Sequence, residues 1–150
     1  MAYSLDFTGG ERYTVHFKDL ETGTILPGQI ENAGYDFEWA NDSKTVFFDR
    51  FNDEWRSFQI WRFSFKDGGA EETLIFQEDD VEFGAGLDKT RDDRFILIES
   101  HAAETSEIYL LDADRPTDDL QLVAPRTNGV MIELEHRDGL LYMLLSLIHI

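Results

Sequence analysis

The sequence predicts an all-β fold, a partial β-propeller with about three four-stranded antiparallel blades. Three observations lead to this prediction. Short apolar runs of strand length alternate with clusters of Gly, Pro, Asn and Asp. The order of these runs repeats about every 45–50 residues, which is typical of propeller blades. No segment shows a sustained 3.6-residue periodicity, so we expect almost no helix.

The first strands come from residues 1–33. The stretch "ERYTVHF" alternates and places Tyr13, Val15 and Phe17 on one face. The turn "DLETG" follows, and "TILPGQI" is typical of a short edge strand with Pro27 near its end. Because "MAYSLDF" fits the second strand of the blade pattern, we expect these residues to form the last part of a blade.

The stretch "FEWANDSKTVFF" predicts the first hairpin of the next blade, because apolar runs flank the turn residues "NDSK". We expect Trp39 in the inner strand, and Phe47 and Phe48 between neighbouring sheets. The third and fourth strands are then "SFQIWRFSF" and "ETLIFQE". The glycines of "KDGG" between them permit positive φ.

The same order then returns. The runs "EFGAGLDKT", "RFILIESH", "SEIYLLDAD" and "LQLVAPR" predict a second complete blade. The stretch "MIELEHRDGLLYML" predicts the first hairpin of another, because Asp138-Gly139 between apolar runs is a strong turn signal.

The spacing of apolar residues supports this repeat. The equivalent pairs are Phe47 and Phe95, 48 positions apart, Phe95 and Leu141, 46 apart, and Ile60 and Ile108, again 48 apart. Ser64 and Asp112 stand at equivalent ends of the third strands. A closed ring takes about four to eight blades, so 150 residues cannot close one.

The composition excludes several classes of function. The net charge is −18, and phosphate binding needs clustered Lys and Arg, so we expect neither nucleic acid nor an anionic membrane as a partner. The charge favours cationic partners or simply solubility. The absence of cysteine excludes disulfides, thiolate nucleophiles and Cys-based zinc sites. The lack of cysteine suits a reducing cytosol, and the N-terminus has no basic region followed by an apolar run, so it does not predict a signal peptide.

The chain contains no G-x-S-x-G motif, which the nucleophile elbow of an α/β-hydrolase requires. Ser106, His101 and Asp112 could in principle form a triad, since triads occur in any chain order. A loop-end serine at a blade turn explains Ser106 better. We therefore predict no catalytic residue in this chain.

Metal and cofactor signals are equally weak. His16, His101, His136 and His149 lack metal-ligand spacing, and Asp112–Asp119 departs from a calcium loop at Thr117 and Val123. We predict no metal and no cofactor.

Neighbouring acids are abundant, but acids in turns usually face water. They are Glu78, Asp79, Asp80 and Glu82, then Asp92 and Asp93, then Asp118 and Asp119. One functional interpretation stays open beside a plain solvated turn. Acids of "QEDDVEF" could line the propeller axis and attract cationic peptides.

The aromatic residues have two possible roles. Trp39 and Trp61 are expected to pack between blades. Trp55, in the polar loop "NDEWRS", is the aromatic residue that we expect to be exposed.

The two ends of the chain are expected to be cut. It starts within a strand, and "LLSLIHI" continues an apolar strand with no turn or polar cap. We therefore predict a propeller fragment over residues 1–144 and a largely non-native tail over residues 145–150. An ordinary buried strand is the alternative for the tail.

Several stretches, in order, resemble the N-terminal propeller of the prolyl oligopeptidase family, and most closely the oligopeptidase B members. These stretches are "FKDLETG", "FEWANDS", "QIWR", "LIFQEDDVEF" and "TSEIYLLDAD". Each one alone is weak, because each is a strand plus a turn. The likeness runs over about residues 1–144, and the tail departs from it.

The resemblance implies about three blades of a seven-bladed propeller from a cytoplasmic serine-type oligopeptidase. Such a propeller covers an α/β-hydrolase domain, packs on it and admits only short peptides. Oligopeptidase B-like members cleave after Arg or Lys, so the partners would be short, cationic peptides. The catalytic Ser, Asp and His would lie in the hydrolase domain, and this chain alone would be inactive. The alternative is a segment of a non-enzymatic propeller that binds a protein or a small ligand.

Overall fold

A computed structural model describes residues 1–147, which form thirteen β-strands and no helix. The prediction of an all-β chain is confirmed. The strands are β1 (Ala2–Leu5), β2 (Tyr13–Lys18), β3 (Ile25–Ala33), β4 (Phe37–Trp39), β5 (Thr45–Phe51), β6 (Ser57–Lys66), β7 (Gly69–Gln77), β8 (Gly84–Lys89), β9 (Phe95–His101), β10 (Ser106–Asp112), β11 (Gln121–Ala124), β12 (Val130–Arg137) and β13 (Leu140–Leu147). Within these residues, no helix is long and apolar enough to cross a membrane.

The strands form four antiparallel sheets in chain order. The first sheet is β1-β2-β3, the second β4-β5-β6-β7, the third β8-β9-β10-β11 and the fourth β12-β13. Each strand pairs with its neighbour in sequence, so every sheet is a meander. This arrangement confirms the predicted part of a blade, two complete blades and a further hairpin.

Successive side chains of a strand point to opposite faces, and both faces of the second sheet are buried. Phe47 packs in a core shared with the third sheet, with Ile96, Ile98 and Leu111. Phe48 packs in the core shared with the first sheet. Both phenylalanines are fully buried, which confirms their predicted place between neighbouring sheets.

The core between the first and second sheets is aromatic. Phe17 is fully buried and stacks on Phe63, with ring centroids 5.0 Å apart. Phe65 meets the Phe17 ring edge-on at 4.9 Å, and Trp39 does so at 6.0 Å. Each fully buried phenylalanine contributes roughly 2–3 kcal/mol through removal of apolar surface from water. Trp61 is half-buried against the same core, so the predicted packing role of Trp39 and Trp61 is confirmed.

A third core joins the third and fourth sheets. It contains buried aliphatic side chains of β9, β10 and β12, namely Leu97, Ile108, Leu110, Ile132 and Leu134. The large side chains of β13 are exposed by contrast, including Tyr142, Met143 and Leu144.

One predicted equivalence between blades is displaced by two residues. Thr45 lies opposite Ser64, and Phe95 lies opposite Asp112. The structural equivalent of Phe95 is therefore Thr45 rather than Phe47, whereas the pairing of Ser64 with Asp112 is confirmed. A shift of two residues keeps every side chain on the same face, so the apolar pattern could not detect it.

Two further predictions concern β3 and the tail. β3 is an edge strand, as predicted, but it is nine residues long rather than short. β13 includes residues 145–147 and pairs Leu147 with Val130, and these residues are exposed rather than buried. Residues 148–150 lie outside the described part. The predicted boundary at residue 144 stays a prediction.

One carboxylate lies inside the fold. Asp49 of β5 is 1% exposed and accepts a hydrogen bond of 2.9 Å from the backbone N–H of Asp36. Its carboxylate sits against Gly34, where any Cβ would collide with it. Burial raises the pKa of Asp49 to about 6, although the hydrogen bond from Asp36 opposes the rise.

The buried Asp49 carboxylate predicts that the free energy of unfolding depends on pH. Because the raised pKa favours the protonated form of Asp49 in the folded state, the protein is most stable with respect to this group below pH 4. That stability is lost as the pH rises through about 6 and Asp49 ionises inside the fold. Asp49→Asn should raise the free energy of unfolding by about 2–3 kcal/mol at pH 7 and by little at pH 4. Urea unfolding of both proteins at the two pH values measures this difference. The exposed Asp53→Asn is the control, and a gain for Asp49→Asn that does not depend on pH would contradict the assignment.

Candidate functional site

The first strands of the second, third and fourth sheets lie side by side. The backbone N–H of Leu87 in β8 donates to the Asp36 carboxylate, just before β4, at 3.0 Å. The backbone N–H of Arg91, just after β8, donates to Glu135 of β12 at 3.0 Å. β4, β8 and β12 are thus the inner strands of neighbouring blades, as the sequence predicted for the strand that contains Trp39.

These inner strands carry acidic side chains. Glu38 lies on β4, Asp88 on β8 and Glu133 on β12, and we call this row the inner edge. Burial raises the pKa of Glu38, and the charge of Asp88 raises it further. The carboxylates of Glu38 and Asp88 are therefore close enough to repel each other.

Beside the inner edge, an open cleft of about 830 Å³ separates the third sheet from the β12–β13 hairpin. Leu97, Leu134 and Met143 form apolar walls, and Glu99 and Glu133 supply carboxylates. Burial raises the pKa of Glu99. His101 opposes the rise, and Glu133 and Asp88 add to it.

The nearby basic side chains are engaged with other acids. Lys89 lies 3.3 Å from Asp93, and Arg91 lies 3.6 Å from Glu135. Within residues 1–147, no Lys, Arg or His nitrogen lies within 4 Å of the carboxylates of Glu38, Asp88, Glu99 or Glu133. The inner edge therefore presents carboxylates that form no ion pair within residues 1–147, although the charge of Lys89 lowers the pKa of Glu38.

The residues considered for a triad are not brought together. Ser106 is fully buried, and its hydroxyl accepts a hydrogen bond of 2.9 Å from the backbone N–H of Ile132. Asp112 lies six residues further along the same strand, which is about 20 Å away. His101 is opposite Ser106 in the strand pairing, but its ring lies over Gly86. These three side chains cannot act on one substrate atom.

The acidic loop Asp112–Asp119 is neutralised by arginine. Arg94 binds Asp112 at 2.6 Å, and Arg115 lies 2.9 Å from Asp112 and 3.2 Å from Asp118. Burial of Asp112 opposes ionisation, but the hydrogen bonds from Arg94 and Arg115 hold its pKa below the ordinary value. This loop has no free carboxylate pair for a cation.

Two of the histidines contact side chains on other strands or loops. His16 stacks on Tyr3 with ring centroids 5.5 Å apart, and His136 lies 2.6 Å from Asp92. His149 lies outside the described residues. In residues 1–147, no group of three or more acids and histidines is arranged to hold a metal ion.

The stretch "QEDDVEF" is not a plain solvated turn. Glu78 is 6% exposed, and its carboxylate binds the Arg126 guanidinium at 2.5 Å and the Ser100 hydroxyl. Arg126 also reaches Glu107 at 3.1 Å and lies 3.7 Å from the centre of the Phe83 ring. Glu78 thus connects the linker after the second sheet to Arg126, which follows the third sheet, and it is not available to line an open channel.

Sequence reasoning missed Arg126 and Glu99. Arg126 ends the predicted strand "LQLVAPR", and no local pattern shows that it reaches back 48 residues to Glu78. Trp55 was identified correctly, since its side chain is 44% exposed.

Comparisons with known proteins agree with this architecture. Residues 1–146 match the family model described as prolyl oligopeptidase, N-terminal beta-propeller domain. Protease 2 of Moraxella lacunata is 33% identical over 146 residues, which are 95% of this chain and 21% of that protein. Dipeptidyl aminopeptidase BI of Pseudoxanthomonas mexicana is 30% identical over 137 residues, 91% of this chain and 19% of that protein. The chain therefore spans about a fifth of the length of these curated relatives.

Solved structures show the same fold. Oligopeptidase B from Leishmania major superposes with a TM-score of 0.87 at 25% identity, over 96% of this chain and 20% of that one. Oligopeptidase B from Trypanosoma brucei, with covalently bound antipain in a closed form, gives a TM-score of 0.81 at 25% identity and the same coverage.

The buried pair of Glu78 and Arg126 predicts a large effect of mutation. Arg126→Met should lower the free energy of unfolding by about 3 kcal/mol, because it leaves Glu78 buried without its cation. Urea unfolding followed by tryptophan fluorescence measures the loss. The exposed Arg137→Met should change stability by less than about 0.5 kcal/mol.

The double variant Arg126→Met/Glu78→Gln separates the charge effect from lost packing. It should recover part of the stability, since the uncompensated carboxylate is gone. A double variant that is less stable than Arg126→Met would contradict the role of Arg126 as the counter-ion of Glu78.

Proposed function

The chain belongs to the prolyl oligopeptidase family of peptidases through its N-terminal β-propeller, and from that premise we propose its part in catalysis. It is the non-catalytic propeller portion of a serine-type oligopeptidase that hydrolyses short peptides, preferentially after Arg or Lys. The catalytic Ser, Asp and His belong to an α/β-hydrolase domain on which the propeller packs. The 150 residues alone are inactive, and the enzyme works in the cytoplasm.

The observation that carries the preference for basic peptides is the inner edge. Glu38, Asp88 and Glu133 stand on three consecutive inner strands, and no basic side chain within residues 1–147 pairs with them. A row of like charges at the mouth of a channel raises the local concentration of cationic ligands and speeds their encounter. Propeller blades around such a channel would also exclude folded proteins, which is the proposed gating role.

The first test is the activity of the longer protein. The complete reading frame that contains this chain should hydrolyse short fluorogenic peptides after Arg or Lys faster than after Pro, and a serine-directed reagent should stop it. Residues 1–150 alone should hydrolyse none of them. A complete protein that closes the propeller and hydrolyses no peptide would favour the ligand-binding alternative.

Removing charges from the inner edge of the complete enzyme tests whether these carboxylates cause the preference for basic peptides. Glu38→Gln/Asp88→Asn should lower kcat/KM for Arg and Lys peptides about three- to tenfold through KM, because steering is lost while the chemistry is unchanged. The loss should shrink at high salt, where the wild-type field is screened.

The matched control is Asp67→Asn/Glu104→Gln, which removes the same charge from exposed positions elsewhere. It should leave kcat/KM within about twofold of the wild-type value. Equal losses for the two double variants would mean that net charge, rather than the inner edge, governs the preference.

A further inference from the structure

The cleft between the third sheet and the β12–β13 hairpin depends on two glycines of β8. In the pairing of β8 with β9, Gly84 lies opposite His101 and Gly86 lies opposite Glu99. Residues that lie opposite each other point to the same face of a sheet. The His101 ring lies across the glycines, since a Cβ at Gly86 would be 3.6 Å from His101 Cε1 and 3.9 Å from the Glu99 Cβ. At these two positions β8 therefore has no side chain that could cover Glu99.

Glu99 stands between an apolar side chain and a ring on its own strand. Leu97, Glu99 and His101 alternate along β9, so they share one face of the third sheet. Leu97 is buried in the core that joins this face to the hairpin. The Glu99 carboxylate thus has an aliphatic surface on one side and a flat imidazole ring on the other.

The hairpin supplies the opposite wall of the cleft. Leu134 of β12 lies opposite Met143 of β13, so their side chains share one face of the hairpin. Leu134 is buried in the same core as Leu97, whereas Met143 is 46% exposed and lines the cleft. A methionine side chain is flexible and adapts to ligands of different shape. An aliphatic ligand in the cleft would therefore meet apolar side chains on both sides.

A second carboxylate of the same kind is closed off from solvent. Because Phe95 is equivalent to Thr45, Glu99 is equivalent to Asp49, four residues further along each strand. Asp49 is buried and accepts a hydrogen bond of 2.9 Å from the backbone N–H of Asp36. Glu99 is half-buried and lines an open cleft. Of these two equivalent carboxylates, only that of Glu99 is accessible to a ligand.

The charges around the cleft favour a cation as its ligand. The Glu99 carboxylate forms no ion pair within residues 1–147, and the Lys and Arg side chains that line the cleft pair with other acids. Burial raises the pKa of Glu99, and the charges of Glu133 and Asp88 add to the rise although His101 opposes it. An anion would be repelled there, and a neutral apolar ligand would bury the carboxylate without compensation. A cation would stabilise its ionised form.

From this geometry we infer that the cleft binds a guanidinium group on an aliphatic stem, the chemistry of an arginine side chain. The Glu99 carboxylate accepts hydrogen bonds from the guanidinium, and the planar group stacks on the His101 ring. Leu97 and Met143 cover the stem, as apolar surfaces commonly do for long basic side chains. This inference rests on the proposed function only for the source of the ligand, which is a basic peptide.

Methyl NMR of the 150-residue chain tests the inference directly. Among its three methionines, Met143 lines the cleft, Met131 stands on the other face of the hairpin, and Met1 precedes β1. The probe is n-butylguanidine, added to protein with ¹³C-labelled methionine methyl groups at pH 8, where imidazoles are neutral. It should shift the Met143 signal, saturate at about 1–10 mM and leave the other two signals in place.

The matched control ligand is N-butylurea, which has a similar shape and no charge. It should leave the Met143 signal unshifted over the same concentrations, because it cannot neutralise Glu99. No Met143 shift with n-butylguanidine, or equal shifts with both ligands, would overturn the inference.

Two variants locate the binding at the cleft. Glu99→Gln should weaken n-butylguanidine binding about tenfold, because a charge-assisted hydrogen bond becomes a neutral one. Gly86→Val should abolish binding, because its side chain enters the cleft, and the φ of Gly86 lies outside the left-handed region. The exposed Glu104→Gln is the control and should bind like the wild type. Wild-type affinity in Glu99→Gln would contradict the role of the carboxylate, whatever the effect of Gly86→Val on folding.

Peptide hydrolysis by the complete enzyme keeps this inference apart from the proposed function. Hydrolysis after Arg or Lys, without a Met143 shift in the chain, would refute only the binding site in the cleft. A specific Met143 shift in a chain whose complete protein hydrolyses no peptide would refute only the peptidase assignment.

Discussion

The structure depends on the burial of both faces of each sheet. Because neighbouring residues on a strand point in opposite directions, Phe47 and Phe48 enter two different cores, and each core needs another sheet to complete it. No sheet of this kind can satisfy its apolar side chains alone. The stacking of neighbouring blades follows from that requirement.

The excess of acid constrains how the sheets can be joined. The chain has 31 Asp and Glu residues and 13 Lys and Arg residues, so most carboxylates cannot have a basic partner of their own. Arg56 and Arg126 bind the linker between the second and third sheets, and Arg94 and Arg115 neutralise Asp112 within the third sheet. The arginines therefore act where carboxylates and carbonyls would otherwise be buried without a donor. Among the carboxylates left without a cation, Asp49 is buried, and those of Glu38, Asp88 and Glu133 lie at the inner edge.

The sequence was sufficient for the fold and insufficient for the contacts between sheets. Strand alternation, turn residues and the spacing of Ile60 and Ile108 identified the blades, because these signals are local or periodic. The sequence could not show that Phe95 corresponds to Thr45 rather than to Phe47, because a shift of two residues leaves each side chain on the same face of the sheet. The role of Arg126 was not predicted for a different reason. Its partner Glu78 is distant in sequence, and an arginine outside a regular strand normally faces water. The acids of the inner edge were expected from "QEDDVEF", but tertiary pairing placed Glu78 in the interior and left Glu38, Asp88 and Glu133 at the edge.

The distinction between neutralised and unneutralised acids connects the fold to function. A carboxylate that an arginine already holds, such as Glu78 or Asp112, contributes to the connection between elements and offers little charge to a ligand. A carboxylate such as Glu38, whose pKa is raised by burial and by the charge of Asp88, is kept in an unfavourable environment that the charge of Lys89 relieves only in part. A cation at the inner edge would relieve it, since an opposite charge favours the ionised carboxylate. The carboxylates of the inner edge, which form no ion pair within residues 1–147, are therefore the acids that remain available to a cationic ligand.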